Sequence, residues 1–319
     1  MGVFMFPHFI AAGEALTDLL RRDAQSWESK VGGATWNVAR VLAKLGVPSA
    51  FAGAVSQDCF GDALLQASQE AGLDLRFMQQ QPYSPLLAIV HQTQPPAYFF
   101  VGDNSADLHF NPEALPAGWL SASCWLHFGG ISLARPQLAQ KLLSMARQAR
   151  AVGARISYDP NFRLLMDQHY DPVLHEMSAL ADVIKVSDDD LRGLFRTADE
   201  ADALQQLRAL NPSALILYTR GAAGASLLLD GGAWHLKPPK LAVIDTVGAG
   251  DASMGGLIWS MYQQADAPPQ QHLAYAVAAG SLACTAAGAH PPALADLRQL
   301  AAQMMASAKA SPDDLNATS

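Results

Sequence analysis

Asp245-Thr246-Val247-Gly248-Ala249-Gly250-Asp251 is the stretch whose reading decides the fold. Leu241, Ala242, Val243 and Ile244 lead into it, and this apolar run reads as a strand. Met254, Leu257, Ile258 and Met261 follow it at i, i+3, i+4 and i+7. That spacing is the apolar stripe of an amphipathic helix. The order is therefore strand, glycine-rich turn, helix, with an acid in the first helical turn. Gly248 and Gly250 let the backbone turn sharply, so its N–H groups converge at the helix N-terminus. That end has unpaired donors and partial positive charge, which suits an anion such as phosphate. Two roles for Asp251 stay open on these residues alone. It can support the helix dipole, or it can take a proton from a hydroxyl that attacks phosphorus. A dinucleotide fingerprint fits poorly, because Ser253 stands at the third glycine position.

The rest of the chain sets the frame. Its 319 residues suit one large α/β domain or two small ones, and half of them are hydrophobic, enough to bury a large core. A formal charge of −8 argues against nucleic acid or an anionic membrane as the main partner. Cys59, Cys124 and Cys284 lie far apart without metal-ligand spacing, and read as reduced core residues of a cytosolic protein. The N-terminus lacks a basic segment and meets Glu14 and Asp18 early, so a first strand over 4–12 is expected rather than a signal peptide. No uncharged run is long enough to span a bilayer. Residues 307–319 are polar and read as a frayed tail.

From residue 124 onward strands and helices alternate. Strands are expected at 124–128, 155–158, 183–186, 215–218 and 226–229, with a helix over 134–152. Such alternation implies a mostly parallel sheet covered on both faces. Between 82 and 110 the pattern changes to two strands joined by Gln94-Pro95-Pro96, a hairpin. Candidate ligand residues stand at expected strand ends, where open α/β sheets bind ligands. Asp18 follows the first strand. Asp159-Pro160-Asn161-Phe162-Arg163, Lys185-Val186-Ser187 and Thr219-Arg220-Gly221-Ala222-Ala223-Gly224 follow later ones. Each has a plain alternative as a solvated acid, a proline turn, a helix cap of Ser187 with Asp190, or a glycine-rich connection.

The seven-residue string, together with Val31-Gly32-Gly33-Ala34-Thr35-Trp36-Asn37-Val38-Ala39, resembles the two signatures of the PfkB (ribokinase-like) carbohydrate kinases. The resemblance runs in order from Gly13 to Gly288. It implies a ribokinase-like three-layer α/β fold: a single domain over 1–319 with a mostly parallel central sheet and a small β lid. The lid would be discontinuous, from about 19–31 and 82–110, and would serve as a homodimer contact. The resemblance makes Asp251 the catalytic base, with Gly248, Ala249 and Gly250 as the anion hole. It places Asp18, Gly32, Gly33, Asn37, Arg163 and Asp251 around the sugar. It places Asn161, Lys185, Ser187, Thr219, Gly221, Gly224 and Ala283 on the ATP side. It also implies Mg2+ on the phosphates, and a monovalent cation such as K+ near Asp245, Val247 and Gly288.

The implied reaction is transfer of the ATP γ-phosphoryl group to a sugar hydroxyl. Neither a Gly-Lys-Ser/Thr loop nor a His-Arg-Asp set points to another kinase class. Gly13-Glu14-Ala15-Leu16 and Lys185-Val186-Ser187-Asp188 look most like fructokinases. Only Arg76 is cationic between Ser49 and Pro116. An anionic sugar acid would want a cation in the lid, so a neutral sugar, fructose, is expected. The alternatives are ribose, a nucleoside, 2-keto-3-deoxygluconate, or a non-catalytic sugar-binding relative.

Overall fold

A computed structural model describes residues 6–93, 96–229 and 231–310. The expected tail and the turn residues Gln94 and Pro95 fall partly outside them. Thirteen strands are present among the described residues: β1 (Phe9–Ala12), β2 (Leu16–Arg21), β3 (Trp27–Gly32), β4 (Ser49–Ser56), β5 (Met78–Gln81), β6 (Leu87–Thr93), β7 (Pro96–Val101), β8 (Trp125–Gly129), β9 (Arg155–Asp159), β10 (Val183–Ser187), β11 (Leu215–Thr219), β12 (Ala225–Leu229) and β13 (Gly232–Leu236). The helices are α1 (Ala34–Lys44), α2 (Cys59–Glu70), α3 (Trp119–Ala122), α4 (Pro136–Ala151), α5 (Asp171–Leu180), α6 (Asp188–Phe195), α7 (Glu200–Leu210), α8 (Ala249–Gln263), α9 (Pro269–Ala283) and α10 (Leu294–Ala310).

Nine strands form the main sheet in the order β13-β12-β11-β10-β9-β8-β1-β4-β5. From β5 to β11 every neighbour is parallel, and β12 and β13 add antiparallel pairs at one edge. The strands alternate between two apolar layers. Phe9 and Ala11 of β1, with Leu215 and Leu217 of β11, face a core shared with α1, α8, α9 and α10. Ile10, Ala12, Ile216 and Tyr218 face the opposite core, shared with α4 to α7. Both faces are thus covered, as a parallel sheet requires. Each large side chain fully buried in these layers contributes about 1.5–3 kcal/mol.

Strand order reverses at β1, which lies between β4 and β8. Ligands of open α/β sheets bind at the carboxyl ends beside such a switch. Here the chain leaves β1 directly into a second sheet of four strands, ordered β3-β2-β6-β7. β2 pairs with β3 antiparallel and with β6 parallel, in the register Asp18 opposite Lys30 and Ala88. Leu16, Leu86, Ala88 and Ile131 give this sheet a small core of its own.

Several expectations need correction. Residues 241–244 form no strand; Val243 is 64% and Ile244 67% exposed. Among the described residues no strand pairs with the run, which is held at one end by Ile244 N–H donating to Cys284 O (2.8 Å). Cys59 and Cys124 are exposed, and Cys284 is half-buried, so none is a core residue. Helix α10 continues to Ala310, into the first four residues of the expected frayed tail, and the rest of that tail lies outside the described residues. No helix among the described residues is long and apolar enough to cross a membrane.

Candidate active site

The N-terminus of α8 is the centre of the site. Gly248 is its N-cap, with φ 78°, a left-handed conformation that costs a non-glycine residue energy. The turn closes through Ala249 N–H donating to Thr246 O (3.2 Å). Asp251 stands in the first helical turn and is only 7% exposed. Asn37 Nδ2 donates to its Oδ2 at 2.8 Å, which ties α1 to α8. The other amide atom, Asn37 Oδ1, is buried without a hydrogen-bond partner. Burial raises the Asp251 pKa to about 6, with Asp159 adding to the rise and Asn37, Lys185 and Arg163 opposing it. A carboxyl near that value is ionised at neutral pH yet can hold a proton during turnover.

Lys185 of β10 lies against this turn. A Cβ added to Gly250 would come 3.2 Å from its Nζ. The ammonium pairs with Asp159 at the end of β9 (2.8 Å), and both side chains are buried. Burial works against the Lys185 cation, but Asp159, Asp190 and Asp251 outweigh it and hold the pKa above its ordinary value. Asp190 itself is engaged by backbone. Its Oδ1 accepts from Phe162 N–H and its Oδ2 from Ser187 N–H, each at 2.7 Å. Ser187 Oγ accepts from Asp190 N–H (3.0 Å), completing a capping box at the start of α6. The expected cap is therefore present, and it joins the Asn161–Arg163 loop to β10.

In that loop Asn161 N–H donates to Asp159 Oδ1 (3.1 Å), and Asn161 has φ 47°. Short polar side chains tolerate this conformation best. Arg163 Nη1 donates to Asn161 Oδ1 (2.6 Å) and Phe162 O (2.7 Å), while its guanidinium lies 5.8 Å from the Tyr98 ring centroid. Asp18 of β2 is half-buried. Burial raises its pKa to about 6, and the Arg163 charge lowers it in part. Gly32, the last residue of β3, leaves room for that carboxylate; a Cβ there would come 2.7 Å from Oδ2. Gly33 is the N-cap of α1.

The remaining positions divide. Asp245, Val247 and Gly288 do come together: Val247 N–H (3.1 Å) and Gly288 N–H (2.8 Å) donate to the two carboxylate oxygens of Asp245. Thr219 ends β11, while Gly221 and Gly224 shape the turn into β12. Gly224 is needed there, since a Cβ would come 2.3 Å from Leu236 O. Ala283 is fully buried in the core and offers a ligand no surface. Next to it, Cys284 O accepts from Ile244 N–H, and Val243 and Ile244 are exposed.

Two acids carry more than sequence reasoning assigned them. Motif reading of the 159–163 loop stops at Asn161 and Arg163 and passes over Asp159; a carboxylate at a strand's C-terminal end is the available signal. Glu14, where β1 enters the second sheet, is 2% exposed and accepts from Ser132 Oγ and from Ser132 N–H (3.2 Å). Burial foremost raises its pKa from 4.5 to about 7. The folded state therefore keeps a proton that the unfolded chain releases, and stability is lost as pH rises from about 4.5 through 7. Glu14→Gln removes this titration. The thermal midpoint of the variant, relative to the parent, is expected to rise between pH 5 and pH 8. A difference that stays constant across that range refutes the assignment.

Comparison with known proteins places this geometry. The model of the pfkB family carbohydrate kinases matches residues 8–296. A fructokinase of Vibrio alginolyticus is 32% identical over 260 residues, covering 80% of this chain and 84% of that one. An aminoimidazole riboside kinase of Salmonella typhimurium is 31% identical over 287 residues, covering 87% and 89%. The crystal structure of a fructokinase with bound ATP from Xylella fastidiosa superposes with a TM-score of 0.85 at 28% identity, over 94% of this chain and 99% of that one.

Proposed function

The chain belongs to the pfkB family of carbohydrate kinases, and from that premise we propose that it transfers the γ-phosphoryl group of ATP to a hydroxyl of a small neutral sugar, fructose. The observation that carries the reading is Asp251. It is buried, has a pKa raised to about 6, and sits in the first turn of α8 beside the Gly248–Gly250 N–H groups. In this reading the attacking hydroxyl gives its proton to Asp251. The helix N-terminus and Lys185 stabilise charge on the transferred group. Asp18 accepts hydroxyls on the far side of the sugar, and the unpaired Asn37 Oδ1 accepts another. Gly32 and Gly33 let the sugar approach the backbone.

On the nucleotide side, the reading assigns Asn161 and Ser187 to the phosphates and the Thr219, Gly221 and Gly224 turn to the nucleoside. The exposed Val243 and Ile244 replace Ala283 as the apolar surface for a flat base. ATP brings Mg2+ on its phosphates; no cluster of acids, His or Cys among the described residues could hold the metal alone. K+ would be held by main-chain carbonyls around Asp245, Val247 and Gly288, since both Asp245 carboxylate oxygens already accept N–H groups. The four-stranded sheet acts as the lid that excludes water. Its outer face exposes Trp27, Phe99 and Val101, and a homodimer through that face covers them. The reading keeps the enzyme in the cytoplasm, where ATP is available as phosphoryl donor.

The charge argument for a neutral sugar changes in form. Lys30 of β3 stands opposite Asp18, so this sheet is not free of cations. Its ammonium, however, pairs with Glu28, and Asp18 remains the charge nearest Gly32. Identity with the aminoimidazole riboside kinase makes a riboside the second reading. ADP release with fructose, ribose, 2-keto-3-deoxygluconate and aminoimidazole riboside tests both. Fructose should give the largest kcat/KM, and Asp18→Ala should lower it by roughly 10²-fold through the unpaired hydroxyl. A riboside that outperforms fructose refutes the substrate assignment.

A further inference from the structure

We infer that Arg40 is a positioning residue for the anion hole, acting through the Ala289 loop; the inference rests on the kinase reading above. Arg40 lies on α1, one turn after Asn37. Its guanidinium stacks on the buried Trp36 ring, 4.4 Å from the centroid. Nη1 donates to Ala289 O at 3.3 Å, and Nε is buried without a hydrogen-bond partner. Burial lowers the Arg40 pKa, and the charge of Glu70 resists this. A cation placed at such cost, with one donor on a loop carbonyl, is a poor choice for packing alone.

The carbonyl it holds belongs to the residue that covers Gly248. A Cβ added to Gly248 would come 2.6 Å from Ala289 Cβ and 2.7 Å from its Cα. The next residue back, Gly288, donates to Asp245 Oδ2 at 2.8 Å. One loop therefore touches the Asp245–Gly250 turn at Asp245 and at Gly248, and Arg40 pins that loop from the side. Helix α1 thus fixes the catalytic turn twice: Asn37 orients the Asp251 carboxylate, and Arg40 sets the backbone whose N–H groups face the phosphoryl group. A loosened loop would leave the ligands bound but misplace those N–H groups in the transition state, where small displacements cost most.

Steady-state kinetics of Arg40→Met and Arg40→Lys test this, at a temperature where circular dichroism shows both folded. Arg40→Met is expected to lose roughly 10- to 100-fold in kcat, with KM for sugar and ATP within about twofold of the parent. Arg40→Lys keeps a charged donor and is expected to recover most of that loss. An Arg40→Met enzyme with parental kcat overturns the inference. So does a loss that Lys does not repair, since that marks packing rather than the held carbonyl. Should Arg40→Met fail to fold, Ala289→Gly keeps the carbonyl and removes the contact on Gly248. It is expected to lower kcat with KM unchanged, and unchanged kcat there also overturns the inference. A parent that releases no ADP from ATP and any sugar refutes the kinase reading instead.

Discussion

Asp251→Asn is expected to lower kcat by about 10²–10⁴-fold, the usual loss when a general base is removed. Asparagine keeps the size and can still bond to Asn37, so ATP affinity should stay within a few-fold. The pH profile adds a second readout. With its pKa raised to about 6 by burial, Asp251 is protonated below that value and cannot accept the hydroxyl proton. Parental kcat should therefore fall as pH drops through about 6, and the residual activity of the variant should lack that inflection. Asp18 also titrates near 6. Repeating the profile in Asp18→Ala separates the two, because only Asp251 remains there. Near-parental turnover by Asp251→Asn removes the residue from the mechanism.

Gly250→Val should have the next largest effect. Its Cβ would stand 3.1 Å from Lys185 Cε, and the two further methyl groups reach past that point. Lys185 must move from Asp159, and the branched side chain enters the space where backbone meets phosphate. Loss of one donor from an oxyanion-hole-type site costs about 10²–10³ in rate. Gly250→Val is expected to lose at least that, and to weaken ATP binding as well. Far-ultraviolet circular dichroism should stay parental, since Gly250 is within a helix and needs no unusual backbone angle. Normal ATP turnover by a folded Gly250→Val enzyme refutes the anion-hole reading.

The parallel core was legible because its rules are local. Strands β8 to β10 are short apolar runs bounded by turn residues, and each is followed by a helical stripe. What sequence could not supply was the partner of each run. Residues 241–244 have the composition of a strand, yet among the described residues no strand pairs with them, and hydrogen-bond pairing decides strand formation. The antiparallel edge at β13 was missed for the converse reason. Trp234 and His235 look unremarkable until Leu227 and Ser226 lie opposite them.

The site shows the same division. The turn around Gly248 and the grouping of Asn37 with Asp251 follow from motifs at fixed spacing, and the structure brings those residues together. Lys185 against Gly250, Asp159 beneath it and Arg40 on Ala289 are long-range contacts that no spacing along the chain specifies. Ala283 illustrates the limit from the other side. Small residues on a helix permit close approach, but whether a ligand or another helix approaches depends on burial, and here it is the core.

The second sheet also bears on the order of assembly. Its two halves come from chain segments about 70 residues apart, joined by the parallel pairing of Thr17 with Leu87. That pairing closes a long loop before it returns any contact free energy. The strands between those segments, β4 and β5, are anchored in the large sheet. Once they are in place the loop is short, and the small sheet can zip with little further entropy loss. Its pairing is therefore expected late in folding, and its few buried side chains are expected to make it the first region to open. If the kinase reading holds, the element that parts for sugar to enter is in this way built as the last and least cooperative unit of the fold.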